Sequence, residues 1–340
     1  MKSILGIFAL LFLLTGCQGQ KAPSQKIEEV VERDFHLPLA DYLPPLGLRF
    51  ALALRPAQMI QDPGWSSTLG MLLSDERLHH YLQVTGINLR QLNEAWYAEY
   101  ELGSVLLLGS PATSVAITQD FRERALSLRE EPTSEGPLRV MSAIFPEGPA
   151  MLISMTGEWL ALVRQDLSLG RLLVARAQGR LQEIPPGLAA PAFAPLTPPE
   201  NAPVQLYVRG PVESAPGAIL SELGAANLSL DLLGPACSIE VHLLGTWPSK
   251  DLPTTMNRWF EKMQQGRLFA ALGLNDPLRG PATECVPRGD YQECRMTIEW
   301  RVKDLEERMI PLLQGEFPQI SPKEAEPISD QRLPSLPEKI

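Results

Sequence analysis

The chain lacks the short signatures that announce common chemistries. It has no Gly-x-Ser-x-Gly nucleophile elbow, no Ser-x-x-Lys with its partner motifs, and no glycine-rich phosphate loop. Histidine is scarce, limited to His36, His79, His80 and His242. His79 and His80 are adjacent, so on a helix they point about 100° apart and cannot chelate one metal as i,i+4 partners do. His242 sits among Ile239, Val241 and Leu243 and reads as a residue on a sheet face. The acidic clusters Glu28-Glu29, Glu130-Glu131 and Glu306-Glu307 lack the spacing of a calcium loop and read as solvated helix faces. Basic excess is missing too. The formal charge of −10 argues against a nucleic-acid or anionic-lipid binder. No catalytic, cofactor-binding or metal-ligating residue is therefore nominated.

Cysteine is nearly absent from the body of the chain. Beyond Cys17 there are only Cys237, Cys285 and Cys294. Without a nearby histidine these three do not have the ligand spacing of a zinc site. Cys285 and Cys294 bracket Val286-Pro287-Arg288-Gly289-Asp290-Tyr291-Gln292-Glu293, whose centre reads as a turn. A disulfide across that hairpin suits an oxidising compartment, with Cys237 to Cys285 or Cys294 as the alternative pairing. As a nucleophile Cys237 would need a basic partner, and only His242 is close in sequence.

What the chain does have is a distinctive start. Lys2 gives a positive tip, Ile4 to Leu14 form an apolar run, and Thr15-Gly16 are small. This is a secretory signal pattern, too short for a membrane span. Leu14-Thr15-Gly16-Cys17 at its end resembles the lipobox of bacterial lipoproteins. The resemblance implies cleavage before Cys17, acylation of that cysteine, and a membrane partner held through its acyl chains. Each buried methylene contributes about 0.8 kcal/mol, and two chains already anchor stably. Gln18, rather than an aspartate, implies the outer membrane, facing the periplasm. In that setting the acceptor pattern Asn227-Leu228-Ser229 would not normally be glycosylated.

The chain then divides by composition. Residues 1–16 are the expected signal peptide and 17–40 a lipidated N-terminus and leash. Residues 41–184 are a first module, and 185–203 a linker dense in proline. Residues 204–314 are a second module and 315–340 a charged, proline-rich tail expected to be disordered. Strands are expected at 48–54, 102–109, 138–145, 150–155 and 158–164. Helices are expected at 65–83, 86–96, 118–130 and 166–179. The second half repeats this punctuation. Val204–Gly210 matches the first strand, residues 218–234 take the helical place, and Ser238–Gly245 matches Ser104–Gly109. Residues 252–265 match the 118–130 helix, Glu299-Trp300 matches Glu158-Trp159, and Asp304-Leu305 matches Asp166-Leu167, at offsets near 136 to 141 residues. The expected fold is α+β: two similar modules, each a mostly antiparallel sheet packed against helices. This layout, with Thr85-Gly86-Ile87-Asn88-Leu89 and Leu272-Gly273-Leu274, resembles a class of uncharacterised bacterial envelope proteins, from which no catalytic role carries over.

Three functions compete. The first is a tethered, non-enzymatic lipoprotein that binds an envelope protein partner or an apolar ligand such as a lipid. The second is a periplasmic hydrolase with scattered residues, which requires a cleft with convergent polar groups. The third is a cell-wall polysaccharide binder, which requires exposed aromatic platforms. Trp247, between Thr246 and Pro248, is the first candidate for such a recognition residue; its alternative role is to cap the core.

Overall fold

The structure is a computed structural model. It describes residues 37–65, 74–85, 87–109, 114–131, 138–155, 158–181, 187–189, 202–211, 222–233, 236–247, 251–265 and 276–303. The signal segment with Cys17 and His36, most of the leash, most of the proline-rich linker, the Asp304-Leu305 helix and the tail lie outside the described residues.

The strands and helices follow in the order β1 Leu48–Leu54, α1 Pro56–Gln61, α2 Asp75–Thr85, β2 Glu94–Tyr100, β3 Ser104–Gly109, α3 Ser114–Arg124, β4 Ser127–Glu131, β5 Leu138–Phe145, β6 Gly148–Met155, β7 Trp159–Arg164, α4 Leu167–Ala177, β8 Val204–Arg209, β9 Leu223–Leu233, β10 Ala236–Gly245, α5 Leu252–Gln264, β11 Arg279–Arg288 and β12 Tyr291–Arg301. All twelve strands join one sheet in the order β11-β12-β10-β9-β8-β1-β2-β3-β7-β6-β5-β4, and every pairing is antiparallel. The fold is α+β, a large antiparallel sheet packed against helices. Its middle is the pairing of β1 with β8, where Leu52 stands opposite Leu206. From that seam each half runs outward as a three-strand meander. Its last strand then pairs with the meander's outer strand: β7 beside β3, and β12 beside β10.

Helices cover both faces. On one face α4 and the 3-10 turn Leu39–Tyr42 press Leu169, Leu173, Tyr42 and Leu43 onto Ala51, Ala98, Val105, Val163 and Met151. The carboxylate of Asp166 starts α4 by accepting from Ser168 N at 2.9 Å. Gly170 lets the helix lie close, because a Cβ there would sit 2.5 Å from Met151 Sδ. Part of the proline-rich stretch joins this layer: Gly187 N donates to Leu43 O at 2.8 Å. On the other face α3 seats Phe121 over Met141, Leu152 and Leu160. There α5 seats Leu252, Met256 and Phe260 over Cys294, Met296 and Trp300. Met59 of α1, with Trp65 just beyond it, covers Cys237, Leu230 and Ile239.

Several expected helices are strands or are shorter. Residues 86–96 were expected as a helix. Instead they make a turn, in which Asn88 Oδ1 accepts from Arg90 N at 3.1 Å, and then enter β2. The deciding pattern is Trp96, Ala98 and Tyr100 buried at every second position. Residues 218–234 were expected in the helical place. The described part, from 223, is β9, with Ala225, Asn227 and Ser229 buried on one face and Ala226, Leu228 and Leu230 on the other. The helix expected over 118–130 ends at Arg124, and residues 127–131 form the edge strand β4 on β5. Within 65–83, α2 begins only at Asp75, and residues 66–73 lie outside the described set.

Candidate functional site

Two cross-strand rows, one on each face, define what the sheet can do. On the α4 face the row reads Glu284, Arg295, His242, Asn227, Tyr207, Ala51, Ala98, Val105, Val163, Met151, Ser142 and Arg129. Its first-half portion is the apolar floor under α4. Its second-half portion is polar, yet Asn227 is fully buried and His242 is 2% exposed. His242 Nε2 lies 2.7 Å from Glu240 Oε1, and Arg295 Nε lies 3.3 Å from the same oxygen. Tyr207 donates to Gln205 Oε1 at 3.1 Å, and burial pushes its hydroxyl pKa up to about 12. Asn227 Oδ1 and His242 Nδ1 have no hydrogen-bond partner. This inlay is a structural network with two orphaned atoms at its buried end, Asn227 and His242, and an exposed Arg295 at its rim.

The opposite row is apolar almost throughout. It reads Thr283, Met296, Val241, Leu228, Leu206, Leu52, Tyr97, Leu106, Leu162, Leu152, Met141 and Glu130. Its two ends are buried: Met296 is 1% exposed under α5, and Leu152 is 1% exposed under α3. Between them, from Val241 to Leu162, every side chain is only half-buried. Leu52, Tyr97, Leu206 and Leu228, with the neighbouring Phe50 and Val208, join none of the four core clusters. The result is an apolar strip across the centre of the sheet, flanked by two helix-covered cores. Val241 packs against the core beneath α5, and Leu106 and Leu162 against the core beneath α3, so the part that joins neither runs from Leu228 on β9 to Tyr97 on β2, three strand spacings or about 14 Å. Alongside it, the next row on the same face of β2, β3 and β7 is polar, with Glu99, Ser104 and Arg164. The Tyr97 hydroxyl hydrogen-bonds the Ser104 side chain there, while burial, then Glu99, raises its pKa.

The residues singled out in the sequence fall elsewhere. Cys285 stands directly opposite Cys294 and is bonded to it. The turn between them reverses at Gly289, whose φ of +63° suits glycine. The alternative pairings with Cys237 are thereby excluded. Cys237 is a free, buried thiol whose pKa burial, aided by Asp231, pushes up to about 12. That is the opposite of an activated nucleophile. Trp247 is 6% exposed and folds over Gly245, where a Cβ would meet its ring at 2.6 Å. It belongs to the core under α5 and is not a platform. Among the described residues no tryptophan is exposed. His79 bonds Gln83 on the exposed side of α2. Glu130 pairs with Arg122 at 2.7 Å. Asn227, being buried, is no glycan acceptor.

Among the described residues no group of His, Cys, Asp and Glu could hold a metal, and no helix is long and apolar enough to cross a membrane. A shallow depression lies between Ala57, Gln58, Gln61, Asp62 and Asn93. Its one carboxylate, Asp62, already accepts from the Gly64 and Trp65 amides at 2.7 and 3.3 Å. Sequence reasoning missed the apolar row because it placed β9, which supplies Leu228, and the first residues of β2 in helices, and left Tyr97 unassigned. The period-2 alternation of β2 was the available signal.

No protein-family model and no curated protein sequence matches the chain. Among solved structures it is similar to crystal form III of TP0453, at 11% identity and a TM-score of 0.45, covering 82% of this chain and 99% of that one. Crystal form I aligns at 12% identity and a TM-score of 0.43, covering 84% and 100%. Crystal form IV gives 13% and 0.42, covering 80% and 96%. Likenesses this distant carry no function across.

Proposed function

We propose that this protein is a membrane-tethered, non-catalytic lipoprotein of the bacterial envelope whose folded body binds an apolar ligand or partner on the central strip. One observation carries the reading: the partly buried apolar row Leu228, Leu206, Leu52 and Tyr97, which joins neither the core beneath α5 nor the core beneath α3. Contiguous apolar side chains that stay partly accessible at the middle of a sheet are a candidate interaction surface. The tether is Cys17, supported by the apolar run and small residues before it. The matching strand courses on either side of the β1–β8 seam support a duplicated α+β module, divided at residues 185–203, with the strip spanning the junction of the two copies.

A periplasmic hydrolase is less well supported. The only carboxylate in the described depression is engaged in a local turn, and the buried thiol is held protonated. A polysaccharide platform lacks exposed tryptophan among the described residues. The test is purification of the acylated protein from membranes, followed by mass spectrometry of bound lipid and protein. A Leu52→Thr/Leu206→Thr variant serves as the control. Cargo present on the parent and depleted from the variant is expected. Equal cargo on both contradicts the assignment to the strip. Replacing Cys17 with serine should release the protein from the membrane fraction; unchanged partitioning contradicts the tether.

A further inference from the structure

We propose that Leu46 and Leu102, at one end of the sheet, are a contact through which the folded body dips into the surface of a zwitterionic lipid bilayer. Both residues are 74% exposed, the highest value for any leucine among the described residues. They occupy adjoining turns, one before β1 and one between β2 and β3, and Glu101 N joins the two by donating to Gly47 O at 3.1 Å. Both turns are pinned. The Tyr100 hydroxyl donates to Pro44 O at 3.1 Å, and Tyr100 N donates to Gly103 O at 2.8 Å. Gly47 takes a φ of +72°, and Gly103 lies so close to β7 that a Cβ there would sit 2.5 Å from Arg164 O. A single exposed leucine needs no explanation, but an adjoining pair held out on fixed turns does. Beside the pair, Arg49 and Glu101, both 64% exposed, offset each other at 3.9 Å. That rim suits a zwitterionic surface, and the formal charge of −10 on the chain disfavours an anionic one. A protein partner is the weaker fit. Two leucines without an aromatic anchor fall far short of the roughly 800 Å² per partner that a stable protein interface buries. A bilayer asks for less, because a tethered body is already concentrated at its surface. The tether has the reach. Residues 17–36 span about 66 Å at full extension, against about 23 Å for the strand β2. The described chain begins at Leu37, just before Leu39, which lies against Gly109 at the far end of β3. A tether leaving from there still lets Leu46 and Leu102 meet the membrane.

The test holds the mature chain with Cys17→Ser on phosphatidylcholine vesicles through an amino-terminal histidine tag and a nickel-chelating lipid. It depends neither on acylation of Cys17 nor on the apolar row at the β1–β8 seam. An environment-sensitive nitrobenzoxadiazole probe is attached at Glu101→Cys, which leaves both leucines in place. In a second protein it is attached at Leu278→Cys, before β11 at the opposite end of the strands. Cys237 is buried and stays unlabelled. Emission from the Glu101→Cys probe should shift to the blue and be quenched by a nitroxide-bearing lipid, and the Leu278→Cys probe should show neither effect. Adding Leu46→Ser/Leu102→Ser, with folding checked by circular dichroism, should abolish both effects. Adding Leu52→Thr/Leu206→Thr should change neither. Replacing part of the phosphatidylcholine with phosphatidylglycerol should not strengthen the quenching. Quenching that persists in the serine variant, or equal quenching at Leu278→Cys, overturns the contact. Absence of quenching at Glu101→Cys overturns it too and leaves the leucine pair to a protein partner. Stronger quenching on the anionic vesicles overturns the zwitterionic assignment.

Discussion

Leu52 and Leu206 face each other across the seam between β1 and β8, and neither belongs to a core cluster. Two leucines at the centre of a sheet would ordinarily be its most protected residues. Here the protected residues lie to either side, beneath α3 and α5, and on the reverse face beneath α4.

That arrangement has an energetic consequence. Leu52→Thr and Leu206→Thr should each cost about 1–2 kcal/mol, since the side chains are only part-buried and threonine suits a strand. Leu107→Ala and Met256→Ala, each at a fully buried position, should cost about 2–5 kcal/mol. Urea unfolding of the four variants checks the order. Larger losses at Leu52 and Leu206 would mean that the strip is core.

The Cys285–Cys294 bond closes the outermost hairpin, whose edge strand β11 pairs only with β12. Constraining a loop of this length in the unfolded chain is worth about 2–3 kcal/mol on the chain-entropy account. The double serine variant should lose that much in denaturant titration, and a reducing agent should destabilise the parent but not the variant. No response of the parent to reduction would contradict a formed bond.

Cys237 should be chemically silent in the folded protein. Its pKa is pushed from 9.0 to about 12, so near neutral pH even less of it is thiolate than of an ordinary cysteine, and the thiol is buried. Iodoacetamide at neutral pH should label it only after denaturant is added. Rapid labelling of the native state would show that the cover formed by Trp65 and its neighbours opens readily.

The polar inlay on the α4 face makes a paired prediction. Glu240→Ala strips His242 and Arg295 of their shared acceptor and should cost about 1–3 kcal/mol. Asn227→Val removes an oxygen that has no partner and should be neutral or mildly stabilising. Thermal melts of the two variants distinguish them. A loss at Asn227 equal to that at Glu240 would show that the orphaned oxygen has a partner in solution, such as a bound water.

Legibility followed local periodicity. The runs Leu48–Leu54, Leu138–Phe145 and Trp159–Arg164 were recognisable because they are apolar, short and bounded by turns. α4 was recognisable from its Asp166 cap and helical spacing. β2 and β9 were not, because Glu94-Ala95 and Ala225-Ala226-Asn227 suit a helix as well as a strand. Only pairing with β1 and β8 decides between them. The disulfide was readable from its spacing around a turn. The strip was not, since it is assembled one residue per strand from positions far apart in the chain, and no window of sequence contains it. Trp247, between Thr246 and Pro248, could be read from sequence as a recognition residue or as a cap on the core, and it packs as the cap. Gly245 makes room for the ring to fold inward.

The central claim is that a folded, stable body presents partly accessible apolar side chains at the β1–β8 seam. Binding of the dye 8-anilinonaphthalene-1-sulfonate to the mature chain with Cys17→Ser, under conditions where circular dichroism shows it folded, tests this most directly. Enhanced dye fluorescence is predicted in the parent and in Leu278→Thr, an exposed site just before β11. Most of that enhancement should be gone in Leu52→Thr/Leu206→Thr. No enhancement in the folded parent, or equal enhancement in the double variant, would contradict the account.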